Sequence, residues 1–131
     1  MKKPKNTTLF EYTNPNPSGS KNRADCVIRA IAIATGKDWL SVYDELCEVG
    51  REVFDTPNSG TVEKAYLDKI AEREVVIVNK KRTTAKQLAQ RKDGHTYIVA
   101  QANHLVAVKD GKVRDTWDSS NRGSYIIWKL S

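Results

Sequence analysis

The chain has 131 residues but only two cysteines and two histidines, so thiol or imidazole chemistry has very few positions to draw on. Cys26 follows Asp25 directly, at the point where an apolar helical run begins. A cysteine in the first turn of a helix sits where the helix dipole and the free backbone N–H groups stabilise a thiolate. The same N–H groups can receive the oxyanion of an acyl-transfer transition state. Far downstream, His104 and Asp115 flank an Asp110-Gly111 turn, and Trp117 lies two residues beyond Asp115. A histidine oriented by a carboxylate is a general base for a nucleophilic thiol. Together these residues describe acyl transfer: Cys26 as nucleophile, His104 as base and then acid, Asp115 as orienter. A buried His–Asp pair with a purely structural purpose is the competing account of His104 and Asp115. No serine stands in a Gly-x-Ser-x-Gly elbow. There is no Cys-x-x-Cys or His-x-x-x-His, so neither a metal nor another cofactor is expected.

The elements that must position these groups follow from local pattern. Asp-Gly between apolar runs specifies a two-residue hairpin turn, because both turn residues need positive φ. That register sets Lys109 opposite Lys112, Val108 opposite Val113, Val106 opposite Asp115 and His104 opposite Trp117. Side chains alternate along a strand. His104, Val106, Val108, Val113, Asp115 and Trp117 therefore share one face, and its valines mark it as the buried one. Asp115 is then the diagonal neighbour of His104, within reach of a side-chain hydrogen bond. Asp118 falls on the other face or in the loop. A carboxylate on such a face is costly unless paired, and His104 is its partner.

Residues 25–36, "DCVIRAIAIATG", run from a helix-capping Asp25 to a helix-stopping Gly36, with Arg29 and Thr35 as the polar residues between. A helix apolar all round is a buried one, here the centre of the domain. A second helix is expected over 38–50, with Trp39, Val42, Tyr43, Leu46 and Val49 on its apolar stripe and Gly50 at its end. A third is expected over 61–74, striped by Val62, Ala65, Tyr66 and Ile70. Thr84 and Gln87 form a capping box for a short helix reaching about Lys92. Strands are expected over 7–12, 74–78, 95–101, 104–108, 112–117 and 124–130, and residues 14–24 form a turn-rich loop with two prolines. Helices followed by an antiparallel sheet indicate an α+β fold in one domain spanning 1–131. Its parts are a tail, short strand and loop over 1–24, a mainly helical 25–73 and a mainly sheet 74–131. Cys47, late in an amphipathic helix, reads as packing, and His95 reads as a partly exposed edge residue.

Hydrophobic residues make up 39% of the chain, and they cluster enough for a core that needs no disulfide or metal staple. Both cysteines fall in expected helices, which favours a reducing compartment. "MKKPKNTTLF" starts as a basic tail over residues 1–5, without a signal-peptide apolar run, and no segment approaches membrane-spanning length. The expectation is a cytoplasmic protein with no membrane partner. Net charge is +6, and basic residues gather in 79–87 and 90–92. No nucleic-acid motif or interleaved aromatic platform accompanies them, so they read as a solvated face rather than a nucleic-acid site.

The order of nucleophilic cysteine on a central helix, then histidine and Asn/Asp on neighbouring strands, resembles papain-like cysteine peptidases. "RDTW" (114–117) is similar to their Lys-Asn-Ser-Trp string, which implies Asp115 as orienter and Trp117 as cover of the His–Asp pair. "ADCVIRA" (24–30) resembles the Asp-Cys helix start of transporter-associated peptidases that process bacteriocin leaders. "GHTYIVAQANHLVAVKDGKV" resembles their strand–His–strand segment. Small phage and prophage proteins with an Asp-Cys-Val-Ile-Arg-Ala helix and a His-Leu-Val-Ala-Val hairpin look most similar. The resemblance implies a papain-like fold and a hydrolase acting on a protein or peptide through an acyl-enzyme, in the bacterial host cytoplasm if phage-encoded. Papain-like enzymes usually carry a Gln about six residues before the cysteine as an oxyanion donor. Ser20 stands there instead; Asn22 is the candidate substitute, and Asn16 lies further upstream. The alternative is a phage or prophage accessory binding protein on the same fold, with a vestigial triad.

Overall fold

A computed structural model describes residues 3–130 of the chain. Its elements, in order, are β1 (Phe10–Tyr12), α1 (Cys26–Thr35), α2 (Trp39–Val53), α3 (Gly60–Ile70), β2 (Glu72–Glu74), β3 (Ile77–Val78) and β4 (Lys81–Arg82). Then follow α4 (Ala85–Arg91), β5 (Thr96–Gln101), β6 (His104–Lys109), β7 (Lys112–Asp115) and β8 (Ile126–Leu130). The fold is α+β. Its main sheet has the order β1-β7-β6-β5-β8-β2, antiparallel throughout except for the parallel β1–β7 edge.

Both faces of this sheet are covered, whereas the hairpin pattern points to the valine face alone. Strand alternation divides the core in two. Ile98, Leu105, Ala107 and Trp128 face α1, α2 and α3. Tyr97, Val99, Val106, Val108, Val113 and Ile127 face α4 and Phe10. The second layer is thin. Ala85, Leu88 and Ala89 of α4 supply its helical side, and burying Leu88 alone is worth about 2 kcal/mol. The first layer rests on α1, whose apolar circumference is in contact with both the sheet and α2. Gly36 ends α1 in the left-handed region at φ 77°, its N–H donating to the Ala32 carbonyl. Lys109 of β6 donates to the Ile33 carbonyl at 3.2 Å, setting a cation at the negative end of the helix. The Trp128 indole N–H donates to Asp68 at 2.9 Å, which ties α3 to β8.

Several expected boundaries move. α2 runs past Gly50 to Val53 and ends at Phe54 in the left-handed region. Gly50 is required for a different reason: a Cβ there would meet the Asp55 carbonyl oxygen at 2.6 Å. α3 stops at Ile70, and residues 72–74 become an edge strand on β8, because the sheet offers them backbone partners that an isolated helical turn lacks. Ile70 is accordingly exposed. The run 74–78 is not a core strand. Ile77 and Val78 instead form a small exposed hairpin with Lys81 and Arg82, turned by Asn79 and Lys80 at positive φ. His95 precedes β5 and is exposed. The capping box at Thr84–Gln87 is present as expected, with both reciprocal hydrogen bonds made. Met1 and Lys2 of the expected basic tail lie outside the described residues. Lys3 is not free of the fold, since its ammonium lies over the Tyr12 ring, 5.0 Å from the centroid.

Candidate active site

Cys26 is the first residue of α1 and is partly exposed. Asp25 holds the N-cap position but makes no side-chain cap hydrogen bond, which corrects the role expected of it. Its buried carboxylate is used elsewhere. Asn16 Nδ2 donates to it at 2.8 Å, the Trp39 indole N–H at 2.9 Å, and the Arg29 guanidinium binds its other oxygen. Asp25 therefore leaves the first-turn N–H groups of α1 beside the cysteine uncapped by its side chain.

The hairpin brings His104 and Asp115 together. The pairs Val108–Val113 and Lys109–Lys112 have the expected register, and Asp110 and Gly111 both have positive φ. His104 opens β6 just after a second turn at Ala102-Asn103, where Asn103 has φ 53°. His104 Nε2 lies 2.5 Å from Asp115 Oδ2, and the two side chains are only 7% and 3% exposed. The remaining Asp115 oxygen accepts from the Thr116 N–H at 2.7 Å and from Arg29 at 3.3 Å.

Strict alternation would send both side chains to the α4 face with the valines. They reach α1 instead: Asp115 binds Arg29, and His104 lines the same two cavities as Cys26. Both residues still pair on their outer sides, His104 with Gln101 and Asp115 with Tyr12, but the β6–β7 ladder between them stops at Ala107–Arg114. With Nε2 committed to Asp115, Nδ1 is the ring atom left for the sulfur.

Burial disfavours a charged His104 ring and is the largest single influence on it. The hydrogen bonds and charges of Asp115 and Cys26 outweigh that effect and push the pKa up to about 9. The ring is thus an imidazolium at neutral pH, placed between a carboxylate and a thiol. Trp117 lies beyond the end of β7 in a bend, not in the strand expected over 112–117. Its ring still packs on His104, with centroids 4.6 Å apart and a 41° tilt, and it is 37% exposed.

Arg29 is the residue whose role the sequence reading missed. It is buried and bridges Asp25 to Asp115, so the helix start and the His–Asp pair belong to one charge network. The signal was present: a lone cation inside an apolar, buried helix needs carboxylate partners. Asn22 is exposed, and its backbone N–H bonds the Ser20 hydroxyl at 3.2 Å. Asn16 is committed to Asp25. A different amide, Asn58 in the loop before α3, lines the space on both sides of the Cys26–His104 pair. Cys47 and His95 are not brought to this cleft; they line two separate cavities. Arg82, from the basic stretch, stacks on Tyr125 at 4.5 Å and donates to the Ser124 carbonyl. No described helix is long and apolar enough to cross a membrane. Compared with family models, with curated proteins and with solved structures, the chain matches none.

Proposed function

We propose that the protein is a small cysteine hydrolase of papain-like design, a peptidase in which Cys26, His104 and Asp115 are the catalytic triad. One observation carries the reading. Residues from the start of a helix and from two strands far downstream converge, so that one imidazole, held by a buried carboxylate, lines the same two cavities as a helix-N-terminal cysteine. A purely structural His–Asp pair does not call for a partly exposed cysteine on the same cleft wall.

In the proposed reaction Cys26 releases its proton to solvent, since the ring is already protonated, and the thiolate adds to the acyl carbon of a peptide bond and forms a C–S bond. The oxyanion is received by first-turn N–H groups of α1. The C–N bond breaks as the imidazolium proton of His104 passes to the leaving nitrogen. The neutral ring then removes a proton from water, and the resulting hydroxide attacks the thioester. The C–S bond breaks, the acid departs and the thiolate–imidazolium pair is restored. Asp115 holds the ring by Nε2 throughout. Arg29 and Thr116 keep the carboxylate in place, and Trp117 covers the pair from solvent. The substrate is a protein or peptide, and the proposed setting is the cytoplasm, that of a bacterial host if the gene is phage-borne.

The test is labelling with a thiol-directed electrophile, resolved by peptide mass spectrometry. Cys26 is expected to react far faster than Cys47, and Cys26→Ala to abolish that fast reaction. Equal reactivity of the two cysteines would sink the proposal. In that event the same fold would serve as an accessory binding protein that keeps its function in Cys26→Ala.

A further inference from the structure

The space around the Cys26–His104 pair has two arms, and they differ in charge. The larger, about 550 Å³, includes Glu63 and Lys64 on its walls, one of each sign, with Gln101 and Tyr125. Burial raises the Glu63 pKa, with Lys64 opposing. The smaller, about 360 Å³, is lined by Lys21, Arg23 and Trp117, and no carboxylate side chain lines it. Arg29 forms part of its wall, but Asp25 and Asp115 already neutralise that guanidinium. Arg122 is not part of that lining but stacks on one of its walls, its guanidinium 4.8 Å from the centre of the Trp117 ring. Among the described residues neither Arg23 nor Arg122 is in an ion pair. Asp25, two residues after Arg23, is taken by Arg29, Asn16 and Trp39, and Asp118, the acidic residue nearest Arg122 in sequence, accepts from the Ser120 N–H at 3.0 Å.

We propose that this smaller arm binds a carboxylate of the substrate, so that the peptide is acidic on the Trp117 side of the bond attacked. The inference rests on the hydrolase reading and specifies its substrate class. Exposed arginines without carboxylate partners present forked donors that match a carboxylate in geometry. A concave wall of one sign concentrates the field, so the cations act together on an anion entering the cleft. Trp117 supplies a flat apolar floor beneath Arg122, which holds a guanidinium by cation–π attraction and leaves its edge donors to a ligand. The opposite arm offers no such preference, because its acid and its base are adjacent. The carboxylate has two possible sources, an Asp or Glu side chain or a free C-terminus, and both present the same group.

The first experiment compares alkylation of Cys26 by iodoacetate and by iodoacetamide in a Cys47→Ser background. The rate with iodoacetamide alone reports the hydrolase reading. The ratio of the two rates reports the arm, whatever the absolute reactivity of the thiol. Arg23→Ala/Arg122→Ala is expected to lower the iodoacetate preference at least about threefold while retaining the His104 contribution, and added salt to lower it in the parent. A ratio unmoved by the double variant overturns the proposal. The second experiment measures binding to Cys26→Ala of three peptides: one with Glu and an amidated end, one neutral with a free C-terminus, and one neutral and amidated. Tighter binding of either anionic peptide supports the arm and names the source. Equal binding of all three overturns it.

Discussion

Two helix starts in this molecule resolve the same problem in opposite ways. At α4, Thr84 and Gln87 close a reciprocal capping box, and the first-turn donor and the cap N–H are both satisfied within the element. At α1, Asp25 occupies the equivalent position yet gives its carboxylate to Arg29, Asn16 and Trp39. The first end is closed, and its role ends with holding Ala85, Leu88 and Ala89 on the sheet. The second is open, with a thiol at its edge and a charged ring above. A capping residue that does not cap leaves donors for a ligand, while its charge is used to hold the network behind them.

Breaking that network gives the largest expected effects. Asp115→Asn removes the charge that keeps the His104 ring protonated and in place. Cys26-dependent peptide hydrolysis is expected to fall about 10²–10⁴-fold, measured as kcat/KM, and the fast alkylation of Cys26 is expected to lose rate in parallel. Arg29→Met leaves Asp25 and Asp115 buried without their cation. It is expected to cost about 3–5 kcal/mol in urea unfolding, and Arg29→Lys less, since charge is kept but the bridging fork is lost.

The pH dependence sharpens the same contrast. His104 has a folded pKa of about 9 against an ordinary 6.5. Its contribution to stability is therefore full below about pH 6.5 and is lost as pH rises through about 9. The stability difference between the parent and His104→Gln is expected to shrink across that window in thermal melts. The α4 end offers the small-effect control. Thr84→Ala is expected to cost about 1 kcal/mol, a fall in Tm of about 3–5 °C, with no change in Cys26 alkylation. A large change in that alkylation would erase the distinction between the two ends.

Much of this was legible in the chain before any coordinates. Asp110-Gly111 specifies the hairpin because few residue pairs accept two positive φ values, and the register follows from it. The apolar run after Asp25 marks a buried helix, and Thr84–Gln87 marks a helix start. The boundaries that moved did so for tertiary reasons. Gly50 resembles a helix stop, but the chain returns over it so closely that only the missing Cβ admits the Asp55 carbonyl. Residues 72–74 continue a helical pattern in sequence, yet β8 offers them a ladder. Residues 74–78 have the β-branched character of a core strand, but only Val76 packs on the core, and Val75, Ile77 and Val78 remain exposed.

The same division runs through the site. Residue types and local pattern determined which groups the proposed chemistry uses, because a helix-start cysteine and a hairpin His–Asp pair are short-range features with short-range causes. Tertiary structure alone decided that Cys26 meets His104, since 78 positions separate them and no local rule spans that distance. It also decided that His104 and Asp115 leave the valine face, that Asp25 abandons its cap, and that Arg29 joins the two halves. Each of these depends on which charge finds which partner once water is excluded, and burial settles that only when helix and sheet come together.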